Sequence, residues 1–122
     1  MYKNRSVDIL TMVTVNLEQG MPTVEIAKSR LNQALRTAKA NRTPVVKLIH
    51  GYGSSGKGGT IRWGILRELE ARQQQGQIRL VIRGDEFSPF YESARRAIDL
   101  YPELRKDRDY IKTNQGITIV II

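Results

Sequence analysis

The sequence predicts a two-layer α/β domain in which helices pack on a mostly parallel, mixed four-stranded sheet, and three observations carry that prediction. Strand-like and helix-like runs alternate in the order strand, helix, strand, helix, strand, helix, strand, an order that calls for parallel strands covered by helices. Apolar residues switch between alternation and three- or four-residue spacing, and the switches fall at glycine and proline. A glycine-dense loop, His50 to Gly59, lies between an apolar strand-like run and a helix-like run. A right-handed crossover puts such a loop at the carboxyl end of its strand, where open α/β sheets bind ligands.

Each element has its own warrant. Val13-Thr14-Val15-Asn16-Leu17 alternates and is rich in β-branched residues, so it reads as the first strand, broken by Gly20, Met21 and Pro22. Thr23 caps a helix through Asn41, with an apolar stripe of Ala27, Leu31, Ala34, Leu35 and Ala38; Thr43-Pro44 ends it. Val45 to Ile49 is a buried second strand. Thr60 reads as the N-cap of a second helix, with Ile61, Ile65, Leu66 and Leu69 on one face and Gln73 to Gly76 closing it. Gln77 to Arg83 alternates, placing Ile78, Leu80 and Ile82 together on one side of a third strand. Ser88-Pro89 has the cap-then-proline order of a helix start, and Phe90, Ala94, Ala97, Ile98 and Tyr101 trace a third helix ending at Pro102. A charged stretch, 103–110, reads as loop, and Ile117 to Ile122 as the closing strand.

The totals narrow the function. At 122 residues, 40% hydrophobic and 26% charged, the chain fits one domain, residues 13–122, after an extension of residues 1–12. With no cysteine and one histidine, disulfides, thiolate zinc sites, cysteine nucleophiles and imidazole metal clusters are excluded within the chain. The first residues lack a signal peptide's apolar stretch and the longest apolar run is too short to cross a membrane, so a cytoplasmic protein with no membrane partner is expected. Residues 1–83 hold fourteen Lys and Arg against five Asp and Glu, or +9, and residues 84–122 hold six against seven, or −1. The positive field belongs to the part that carries the glycine loop, which points to a polyanion, nucleic acid first among them.

The loop fits three patterns. Gly51-x-x-x-x-Gly56-Lys57 has the spacing of a nucleotide P-loop, but Gly58 stands where a magnesium-holding Ser or Thr belongs, and Gly59 reads as continuing the loop. Gly51-x-Gly53-x-x-Gly56 satisfies a dinucleotide fingerprint, in a chain with too few strands for two mononucleotide-binding halves. The third pattern takes in the flanks. Val46-Lys47-Leu48-Ile49-His50-Gly51-Tyr52-Gly53, then Gly59-Thr60-Ile61-Arg62, resembles the apolar-strand, H-G-x-G, L-R signature of the small MutS-related (Smr) domain. Val15-Asn16-Leu17 with Gly20 and Thr23-Val24-Glu25-Ile26-Ala27 resembles that family's opening segment, and Gly116 to Val120 its closing strand. The resemblance runs from residue 13 to 122 in order, apart from an inserted helix and loop at about 87–115.

The resemblance implies structure-specific rather than sequence-specific binding of DNA or RNA, with nicking endonuclease activity in some members. Asn16 and Glu18 stand where the family often has Asp and His, which counts against cleavage. On this reading the backbone from Gly51 through Gly53, Gly56 and Gly58 to Gly59, with the helix end at Thr60, contacts phosphate oxygens, Lys57 and Arg62 supply charge, and Tyr52 stacks on a sugar or an unpaired base or else packs on its own domain. His50 is the one side chain suited to proton transfer near neutrality, with Glu18 its candidate partner if the protein is a nuclease; a structural histidine is the competing reading. No cofactor is required, though magnesium fits a nuclease; Asp85 and Glu86 follow the third strand, but adjacent residues on a strand point to opposite faces, which argues against their chelating it together. Trp63, Phe87, Phe90 and Tyr91 read as packing. Two rival functions stay open, a protein-interaction module with a decayed site and an ATP- or GTP-binding protein.

Overall fold

The computed structural model describes residues 11–51 and 56–122, and of Gly56, Lys57 and Gly58 only the backbone. Most of the expected extension, residues 1–10, lies outside the described residues, as do Tyr52 and Gly53. Four strands, β1 (Met12–Asn16), β2 (Val45–Ile49), β3 (Leu80–Arg83) and β4 (Ile117–Ile121), form one sheet in the order β1-β2-β4-β3. β1 and β2 pair in parallel, and β4 runs antiparallel to both neighbours, β2 and β3. Three strands therefore point one way and the last is inserted between two of them.

Helices α1 (Val24–Ala40) and α2 (Gly56–Gln74) pack on one face, where Leu31, Leu35, Val46, Leu48, Ile65 and Leu69 meet in a core. The expected helical layer is joined by a smaller one opposite: α3 (Glu92–Leu100) and a 3-10 segment, Pro102–Lys106, bury Leu80, Ile82, Phe87, Ile98, Leu104 and Ile119. β4 is buried at all five positions, because it has neighbours on both edges and cover on both faces. Its β-branched run suits a central strand with no solvent face. No helix among the described residues is long and apolar enough to cross a membrane.

The helix ends follow local chemistry. Thr23 is the N-cap of α1, its hydroxyl accepting from the Ile26 N–H at 3.2 Å. At the far end Thr43 N–H bonds Ala38 O and Arg42 N–H bonds Lys39 O, with Arg42 at φ 58°, so α1 has closed in a Schellman motif before Pro44 is reached. α2 closes the same way, with Gly76 at φ +77° and Gln77 N–H on Arg72 O.

Three boundaries differ from expectation by more than one residue. α2 opens at Gly56, so Thr60 lies inside the helix and is not its cap. The low helix propensity of glycine hides this start from a local reading. β3 begins only at Leu80 after a bend, which sends Ile78 to the α1/α2 core while Leu80 and Ile82 face α3. α3 starts at Glu92, because Ser88-Pro89 form a turn closed by Tyr91 N–H on Ser88 O, and this leaves Phe90 exposed, off the helix stripe.

Candidate functional site

β2 ends at the glycine loop, and its last turn is built around His50. Period-2 alternation continues from Val46 and Leu48, so the ring points to the α1/α2 face, where it is fully buried. Nδ1 lies 2.8 Å from the Gly51 carbonyl and Nε2 2.8 Å from the Thr118 hydroxyl. A carbonyl can only accept, so Nδ1 carries the proton and Nε2 accepts from Thr118. Both nitrogens are engaged in the neutral tautomer. Burial pushes the His50 pKa down, the Gly51 carbonyl opposes this, and the nearby Arg62 guanidinium adds to the lowering.

That shift has a stability consequence. The unfolded chain takes up a proton near the ordinary histidine value of about 6.5. The folded chain resists until lower pH, so between the two values the unfolded state binds more protons and stability is lost as the pH is lowered. Urea unfolding at about pH 7.5 and about pH 5.5 is expected to show this loss, and His50→Asn to flatten it. Because the chain has one histidine, a slope that persists in His50→Asn assigns the effect elsewhere.

Gly51 turns the chain away from the strand at φ +73°, and its N–H shares the Gly116 carbonyl with that of His50, at 3.1 and 3.0 Å. A Cβ there would overlap the Glu18 carboxylate, the tip of a flexible side chain that can shift, so it is the left-handed φ that calls for glycine. Glu18 itself is set by Asn16, whose Oδ1 accepts the Glu18 N–H at 2.9 Å, and by Arg30, whose Nη1 donates to Leu17 O and Gln19 O. The structure thus brings the first motif and the glycine loop together. It does so through Gly51 rather than through a Glu18 to His50 hydrogen bond, since both ring nitrogens are occupied. Glu18 faces a cleft of about 820 Å³ on the α3 side, lined also by Lys47, Glu103, Lys106 and Arg108.

Beyond the loop, Gly56, Lys57, Gly58, Gly59 and Thr60 form the opening turns of α2, with Thr60 exposed. A helix that opens at Gly56-Lys57 removes one objection to the P-loop reading. Gly58 still lacks the hydroxyl, and the strand beside β2 on the loop side is the antiparallel β4. Arg62 is buried rather than displayed: it stacks on Trp63, 4.6 Å from the ring centroid, and lies 3.7 Å from Asp85. Asp85 is also held by Arg83 through hydrogen bonds of 3.2 and 2.9 Å, and that contact raises the Arg83 pKa. The acid considered for magnesium is therefore paired with arginines, and among the described residues no three His, Cys, Asp or Glu side chains gather as a metal-holding set.

Sequence reasoning missed Thr118, the arginine contacts of Trp63, and the partners of Lys47. Lys47 is buried on β2, with Nζ 2.9 Å from Asp107 and 2.7 Å from Asp109. Burial works to raise the Asp109 pKa, but hydrogen bonds from Lys47 and Asn114 outweigh it and hold the carboxyl below its usual range. The signal was present in Val45-Val46-Lys47-Leu48-Ile49, because a lone cation in a buried strand requires a counter-charge.

What fold and site define is an α/β domain that places a locked histidine, a left-handed glycine and a glycine-opened helix at one end of its sheet. In structure the domain is similar to the Smr domain of Thermus thermophilus MutS2, at 20% identity and a TM-score of 0.50, over 92% of this chain and 96% of that one. The chain has the fold of an Smr domain, as its three motifs suggested. No protein-family model matches the sequence, and comparison with curated proteins gives no match.

Proposed function

We propose that the domain binds nucleic acid through the phosphate backbone, reading structure rather than base sequence, and that it binds without efficient cleavage. The observation that carries this reading is the opening of α2. Gly56, Gly58 and Gly59 give three glycines in its first four residues, at the sheet end where β2 delivers His50 and Gly51. The unpaired N–H groups and positive dipole end of a first turn attract phosphate, and glycine lets a backbone approach. Lys57 lies in the same turn, and the excess of +9 over residues 1–83 supplies a field that favours a polyanion. A His50 that is buried, neutral and bonded at both nitrogens supports a role in positioning Gly51 over one in proton transfer.

The test is a titration of double-stranded DNA, branched DNA and RNA at two salt concentrations, with and without magnesium, followed on a gel for cleavage. Lys57→Gln with Arg67→Gln, an exposed position one turn beyond Trp63, is expected to weaken binding. It should also flatten the log–log salt slope by about one unit per lost phosphate contact. Absence of salt-dependent affinity for all three ligands would overturn the proposal in favour of a protein-interaction module. Calorimetric binding of ATP or GTP would favour the nucleotide reading.

A further inference from the structure

α2 places a buried arginine beside a half-exposed tryptophan, an inversion of the usual burial order. Trp63 is 49% exposed while Arg62 next to it is 9% exposed. The ring is not loose. Arg62 stacks at 4.6 Å from its centroid and Arg83, at the carboxyl end of β3, approaches to 5.6 Å. Both distances are within cation–π range. Both guanidinium groups are in turn anchored on one carboxylate, Asp85, so the cations beneath the ring are fixed before any ligand arrives. Packing does not account for Trp63, because the side chain that α2 sends toward the core at this point is Ile61 or Ile65, each almost fully buried. The structure spends a buried Arg, a paired Asp and a strand-end Arg on holding an indole at the surface.

The platform sits at the same end of the sheet as the glycine loop. Seven residues separate Gly56 from Trp63, which at the α-helical rise is about 10 Å along the axis. A strand whose phosphate rests at the opening of α2 would therefore run toward the indole. In a continuous duplex the base faces are occupied by neighbouring base pairs. Away from duplex ends an unpaired base is what offers a free face, and aromatic side chains hold such bases by stacking without regard to sequence.

We infer that Trp63 is a stacking platform for an unpaired nucleobase, which makes single-stranded or gapped nucleic acid, rather than intact duplex, the ligand class of this domain. The inference rests on the backbone-binding reading above and adds a base contact to it. Arg62, Arg83 and Asp85 act as positioning residues for the ring.

Trp63 is the single tryptophan of the chain, so its fluorescence reports on this site alone. The probes are an oligothymidylate, an abasic oligomer of the same length and charge, and a blunt duplex. Quenching by oligothymidylate, with little by the abasic oligomer although both bind salt-dependently, is the expected result. Trp63→Leu, which keeps apolar bulk and removes the π-face, should weaken oligothymidylate binding by about 5- to 150-fold, from about 1–3 kcal/mol per stacked base. It should leave abasic affinity unchanged, and Trp63→Phe should restore most of the loss. Salt-dependent binding of both single strands without quenching, or equal loss on both in Trp63→Leu, overturns the platform while sparing backbone binding. No salt-dependent binding of any probe overturns both.

Discussion

Lys47→Met is expected to destabilise the domain by about 3–5 kcal/mol, the cost of breaking a buried ion pair from one side. The substitution removes the cation and leaves Asp107 and Asp109, with side chains only 7% and 12% exposed, facing an apolar strand. Against a typical total of about 5–15 kcal/mol, this brings the folded state close to its limit. The pH dependence identifies the cause. In the native protein Asp109 has a depressed pKa, so its contribution is present above the unfolded value of about 3.9 and is lost as pH falls through the folded one. In Lys47→Met the Asp109 carboxyl loses the cation that opposes its desolvation and its pKa rises, so the penalty is felt at neutral pH and shrinks on acidification. Urea unfolding at about pH 7 and about pH 4.5 should show the gap between variant and parent narrowing. Adding Asp107→Asn and Asp109→Asn to Lys47→Met should recover part of the loss, since burying neutral groups costs less than burying unpaired charge. A destabilisation that is constant with pH would mean that lost packing of the lysine stem, not the charge, sets the cost.

Gly84→Ala should cost about 3 kcal/mol, at the upper end of what overpacking usually exacts. Gly84 lies where β3 passes into a 3-10 turn, and its backbone is pressed on the chain entering β4. An added Cβ would overlap the Asn114 carbonyl oxygen and come within 2.5 Å of that of Ile117. These are backbone atoms, which cannot swing aside as a side chain can. Relief requires moving 114–117, and Gly116 in that segment accepts the N–H groups of both His50 and Gly51. The effect should therefore be read in two places: a lower urea midpoint, and shifted amide resonances of His50 and Gly51. An unfolding free energy within about 0.5 kcal/mol of the parent would show that the turn yields easily.

The two substitutions mark the limit of what local pattern conveys. Lys47 announces that it needs a counter-charge, yet nothing in its neighbourhood identifies Asp107 and Asp109, sixty residues on in a stretch that reads as loop. Gly84 gives no local signal, because its φ is not left-handed and its constraint comes from another segment. His50 was legible as a strand-end histidine beside a glycine turn, but its two readings differ only in what its nitrogens touch. One of those partners, Thr118, is on β4. Arg62, which the motif assigned to phosphate binding, is buried against Trp63 instead of extended to solvent.

By itself the sequence determined β2 to the residue, the Thr23 cap and buried stripe of α1, the apolar character of β4, and the order of motifs that the Smr fold bears out. All of these rest on interactions between residues a few positions apart, which periodicity and capping chemistry express directly. Tertiary structure alone decided the antiparallel insertion of β4 between β2 and β3, the neutral locked state of His50, and the arginine bed of Trp63. Each depends on segments distant in the chain meeting in space, where hydrogen-bond satisfaction and burial of charge, not local propensity, choose the outcome.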